Sequence, residues 1–182
     1  MARVPLITGK AQVAPEHHAT VDAIIGSRGS LHGPFSVFLH SPEIAGRIAH
    51  LGTLVRFEGT LPMRVRVLAA MVVAREFQAE YVWGAQTGSA RRQDVPEATI
   101  AAIHDKTGLE GVAPEDAMII EYTRTLLERH RIPADMDKAI RERFGNDQMI
   151  QLTGAIGYYS LLAMTVNAHE MEAGPGMEVL KA

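Results

Sequence analysis

Residues 61–86 read LPMRVRVLAAMVVAREFQAEYVWGAQ, and the spacing of their apolar side chains decides the fold. Val65 and the run 67–74 leave a helix here no polar face, which marks it as central and buried. The valine-rich 71–73 would suit a strand, but the apolar run around it has helix length and no segment alternates with period two. Upstream, 42–58 is predicted as an amphipathic helix. Ser41 is its N-cap, Pro42 its first residue and Glu43 lies in its first turn, while Ile44, Ile48, Leu51 and Val55 recur every three or four residues. Small Ala45, Ala49 and Gly52 flank that stripe and admit a close neighbour.

Further helices are predicted at 17–27, ending at Gly29, and at 79–90. Another runs to about residue 106 from a capping box at 94–97, and others cover 114–131, 134–144 up to Gly145, and 146–171. In the last of these, Gln151, Tyr158, Thr165 and His169 form one polar stripe and Thr153, Ser160 and Asn167 a second, while Gly154 and Gly157 suggest close helix packing. The expectation is an all-α, single-domain bundle of seven or eight helices over residues 1–182, with an extended arm at 1–16 and a loose tail at 172–182.

Of 182 residues, 47% are hydrophobic and 21% charged, enough apolar surface to build one core. A formal charge of −3 with no basic stripe argues against nucleic acid as a partner. No apolar run reaches the roughly 18 residues of a membrane span, and MARVPLITGK lacks the apolar core of a secretory signal. A cytoplasmic chain without a membrane partner is therefore expected. Zero cysteines exclude disulfides, thiolate nucleophiles and thiolate metal sites. No H-x-x-x-H or H-E-x-x-H, P-loop or nucleophile elbow occurs, so neither a metal nor a cofactor is expected.

Four segments carry a resemblance. LPMR at 61–64, EYVWGAQ at 80–86, GPFSVFLHSPE at 33–43 and IGYYSLLAMTVNAHE at 156–170 together resemble the carboxymuconolactone decarboxylase family, within the alkyl hydroperoxidase D-like superfamily. In that superfamily's peroxidase branch a Glu precedes a Cys-x-x-Cys-x-x-x-His run. The resemblance places the cysteine positions at Ala79 and Val82, the histidine at Gln86 and the glutamate at Val67. All four are substituted, which leaves dithiol peroxidase chemistry without its thiol. The decarboxylase branch, by the same resemblance, acts on a lactone acid with a histidine and charged groups. Gln86 can orient a carbonyl but cannot move a proton near neutral pH.

The candidate site therefore gathers Arg75 to neutralise an acid, Gln86 and Tyr158 to polarise a carbonyl, and His40 or Glu58 to move a proton, with Ala79, Val82 and Trp83 as walls. Each has a plainer reading as well: an arginine reaching water, a tryptophan filling the core, an exposed histidine or glutamate. Two functions follow from this set. One is a cofactor-independent lyase or isomerase acting on a small carboxylated or lactone-like compound. The other is a non-catalytic small-molecule binder or assembly subunit on the same scaffold. The resemblance also implies a homo-oligomer, a dimer, trimer or hexamer, with 45–52 or 154–157 as contact faces.

Overall fold

The computed structural model describes residues 2–180, and among them it contains eight α-helices and no strand. They are α1 (His18–Arg28), α2 (Phe35–Phe38), α3 (Pro42–Thr53), α4 (Met63–Glu76), α5 (Glu80–Arg91), α6 (Glu97–His104), α7 (Pro114–Arg129) and α8 (Ala134–Ala168). The all-round apolar run becomes α4. Every residue from Val65 to Ala74 is buried, and the helix is surrounded by α5, α7 and α8. Each fully buried Val, Leu or Met side chain there contributes about 1.5–3 kcal/mol over an exposed one.

The α3 stripe turns the other way from the expectation. Ala45, Ile48, Ala49 and Gly52 are buried, whereas Ile44 and Leu51 are exposed, because α1 approaches on the small-residue side. Past Thr53 the helix widens into a π-turn over Leu54–Glu58, with the Gly59 amide bonded to the Leu54 carbonyl five residues back. Such turns rotate the following side chains out of the α register. Arg56 sits on this one.

Two predicted caps differ. The 94–97 box does not form: Asp94 adopts φ 53°, and Glu97 pairs with Arg91 at 2.7 and 3.0 Å instead of folding back on its helix. α7 stops at His130, in the left-handed region, before Pro133 is reached. Gly145 (φ 72°, ψ 175°) kinks α8 where the boundary between two helices was predicted, in a backbone region open essentially to glycine alone. α8 contains an apolar stretch long enough by length and composition to cross a membrane, but half of that stretch is buried against the rest of the bundle.

The arm lies over the body, with the Ile7 amide bonded to the Ser36 carbonyl and Arg3 paired with Glu170. The tail is packed rather than loose. Glu178 pairs with Arg91, Leu180 is buried, and a Cβ on Gly84 would lie 2.7 Å from the Met177 Cβ, so the missing side chain lets the tail lie flat on α5. Met1, Lys181 and Ala182, the outermost residues of the predicted arm and tail, lie outside the described residues. Gly154 and Gly157 meet nothing within 4 Å, so no helix of this chain uses the closeness they allow.

Candidate functional site

α1, α2, the π-turn after α3, α5 and α8 converge on a cavity of ≈ 190 Å³. Arg28 enters from the end of α1 and Arg56 from the π-turn, His32 stands at the rim, and α5 and α8 contribute Val82, Gln86, Tyr158 and Tyr159. No aspartate or glutamate lines it. Two guanidinium groups without a facing carboxylate set a positive potential in a confined, partly desolvated space.

Arg28 is held rigidly but incompletely. It donates through Nη2 to the Ala49 carbonyl (2.8 Å) and through Nη1 to the Ser27 hydroxyl (2.5 Å), and its plane lies 4.3 Å from the Phe35 ring centre. Its Nε is buried without a partner, as are the Gln86 Oε1 and the Tyr158 hydroxyl. Buried polar atoms are nearly always paired, and one left alone costs about 1–3 kcal/mol. Three such atoms belong to residues lining this one cavity. The Tyr158 hydroxyl lies beside the Arg28 guanidinium, both against Gly52. Burial pushes its phenol above the ordinary tyrosine value, and the neighbouring guanidinium opposes that shift.

Arg66, one turn into α4, supports the site from behind. It is 6% exposed, has no acidic partner among the described residues, and donates through Nη1 to the Tyr159 hydroxyl at 2.6 Å. With that oxygen already accepting, the Tyr159 O–H is free to donate elsewhere. Gly52 provides the room in front. A Cβ there would stand 2.7 Å from both the Arg28 Nη2 and the Tyr158 Cζ.

The predicted residues separate into two groups. Gln86, Tyr158 and Val82 are in the cavity wall. Ala79 is fully buried at the start of α5, does not line the cavity, and so does not share it with Val82 and Gln86. Arg75 lies at the far end of α4 and gives its Nε–H to the His104 carbonyl. Trp83 points to the same side, edge-on to His104 at 5.4 Å and wholly buried. His40 donates to the Pro5 carbonyl at 2.7 Å and anchors the arm. Glu58 faces a separate groove between α1 and α3. Thus Arg75, Trp83, His40 and Glu58 are not brought together with Gln86. Within the first polar stripe of α8 only Tyr158 reaches the cavity, and Gln151 braces the loop before α4 through the Leu61 amide (3.0 Å) and Thr60 (2.9 Å).

Arg28, His32, Arg56, Tyr81, Tyr159 and Arg66 were not singled out from the sequence. One of them carried a readable signal: Arg66 is a charged residue inside a run with no polar face, and such a residue needs a reason. Arg28 and Arg56 gave none, since each stands near a helix end, where arginine is ordinary. Among the described residues, no three His, Asp or Glu side chains converge to hold a metal ion.

The architecture is the helical fold of the alkylhydroperoxidase AhpD core. The chain superposes on a crystal structure from Ralstonia eutropha JMP134, described as an alkylhydroperoxidase AhpD core and an uncharacterized peroxidase-related protein, with a TM-score of 0.75. The match covers 96% of this chain and 93% of that one at 14% sequence identity. No protein-family model and no curated protein matches the sequence.

Proposed function

We propose that the chain is a cofactor-independent lyase or isomerase acting on a small carboxylated or lactone-like organic anion, a reading that agrees with the carboxymuconolactone decarboxylase resemblance. The observation that carries it is the pair of unpartnered buried donors, the Arg28 Nε and the Tyr158 hydroxyl, beside a cavity that contains cations and no carboxylate. A carboxylate ligand would accept from Arg28 and Arg56 and supply the missing negative charge. Tyr158 and Gln86 would hold a carbonyl oxygen, and the oxygen would take up the electron pair released when a proton leaves the adjacent carbon for His32. Return of that proton to another carbon is isomerisation; loss of carbon dioxide followed by protonation of the enolate is decarboxylation. His32 takes the role expected of His40 or Glu58, because it alone of the three lines the cavity.

The test is turnover followed by proton NMR, with lactone acids, muconate-like acids and β-keto acids offered to the full chain in deuterated water. Deuterium incorporation or product formation that His32→Ala abolishes supports the enzyme. Saturable binding with no exchange in any substrate supports the non-catalytic binder instead.

A homo-oligomer belongs to the same proposal. Ile150 and Met164 are exposed on α8 on either side of the open Gly154 and Gly157, at helical spacing that admits a second helix closely. A cytoplasmic setting without membrane or nucleic-acid partners is proposed with it.

A further inference from the structure

Beside the first cavity lies a larger one, of ≈ 640 Å³, and the two share His32 and Tyr81 as common wall. Its remaining walls come from the arm and the tail, chiefly Leu6, Met171, Ala173, Pro175 and Met177 with Glu172 as the one carboxylate, and among the described residues no arginine or lysine lines it. An acid group meets the Glu172 carboxylate there and no arginine or lysine among the described residues, whereas hydrocarbon finds carbon on most sides. Tyr81 stands between the chambers, half-buried, its phenol raised above the ordinary value by burial and its hydroxyl without a hydrogen bond to any described residue. Gly33, with φ +72°, leaves room for that ring: a Cβ would come within 2.8 Å of the Tyr81 Cε1 and Cζ. The tail roofs the chamber because Gly84 lets Met177 and Glu178 lie against α5.

We infer that the ligand is an elongated acid, its carboxylate at Arg28 and its apolar chain or ring extending past Tyr81 into the chamber beneath the tail. This rests on the anion reading of the first cavity and adds the class of molecule. The smaller chamber holds a carboxylate and a few carbons. The larger one is over three times its volume, so the apolar part of the ligand sets affinity and selectivity.

Calorimetric titration of the full chain with straight-chain acids from butyrate to octanoate tests it. Affinity is expected to rise about fourfold per added methylene, the worth of one buried CH₂. Ala173→Trp, which fills the larger chamber, flattens the series and weakens octanoate at least tenfold while leaving butyrate within twofold; Met177→Trp serves if that variant is misfolded by circular dichroism. Equal affinity along the series in the wild type, with butyrate still dependent on Arg28, overturns the elongated ligand but not the anion site. A gradient unchanged in a folded, chamber-filling variant overturns it too. Failure of every acid to bind overturns both.

Discussion

Gly52→Ala sets two effects of known size against each other. Inside a helix, alanine is favoured over glycine by about 0.8–1 kcal/mol. Against that, the new methyl would stand 2.7 Å from the Tyr158 Cζ and from the Arg28 Nη2, and closer still to the Tyr158 hydroxyl. Tyr158 is 2% exposed and packed edge-on to Tyr159 at 5.3 Å, so the ring can yield only by giving up that contact and closing into the cavity it lines. Overpacking of this kind costs about 1–3 kcal/mol. Gly26→Ala is the control, since Gly26 lies inside α1 and a Cβ there would meet nothing within 4 Å. The control should gain the propensity alone, leaving about 1–3 kcal/mol between the two variants. At roughly 2–4 °C per kcal/mol for a chain of this size, Gly52→Ala should melt about 2–12 °C below Gly26→Ala. It should also bind small carboxylates at least tenfold more weakly, because Arg28 must swing off the Ala49 carbonyl. Thermal unfolding by circular dichroism and calorimetry read the two outcomes. Equal melting temperatures and unchanged binding would refute the account of how Gly52 makes room for the site.

Tyr158→Phe removes a buried hydroxyl that has no partner, so it should leave stability unchanged or raise it by up to about 1 kcal/mol, while weakening anion binding. Burial raises the folded-state value of Tyr158 above the ordinary 10.0, so its contribution to stability is fully present below pH 10 and is lost as pH rises through the folded value. Urea midpoints between pH 8 and 11.5 should therefore fall more steeply for the wild type than for Tyr158→Phe; parallel curves would contradict this. Arg66→Met replaces a buried cation lacking an acidic partner with an apolar chain of similar length, so the melting temperature should hold or rise while carboxylate affinity falls. A loss of several kcal/mol in stability would show that the guanidinium is structural. Gly157→Ala should raise the melting temperature if the α8 face is free and weaken assembly if a second copy packs there; light scattering of the wild type as a monomer would refute the oligomer.

The bundle was readable because its decisive signals are local. The all-round apolar run of α4, the kink at Gly145 and the left-handed Gly29 each follow from a few neighbouring residues. The inward face of α3 was not, since Ile44 and Leu51 satisfy helical periodicity as well as Ala45 and Ala49, and only the approach of α1 on the small-residue side decides between them. For the site, Gln86, Val82 and Tyr158 were found from motif and stripe, but their partners come from segments far apart in the chain. Arg28, at the end of α1, and Gln86, on α5, meet only as walls of the folded cavity, and Arg56 enters because of a π-turn that no spacing rule forecasts. Arg75 and Trp83 share helices with site residues yet face α6, a half-turn difference that periodicity alone left open.

The claim beneath all of this is that the cations around Tyr158 lack a negative charge that a ligand supplies. Calorimetric titration of benzoate into the wild type and into Arg28→Met, with circular dichroism confirming that the variant keeps its helices, measures it directly. The account predicts saturable binding of one benzoate per chain, weakened at least tenfold by the substitution. Equal affinity in the two proteins, or no binding in the wild type, would contradict it.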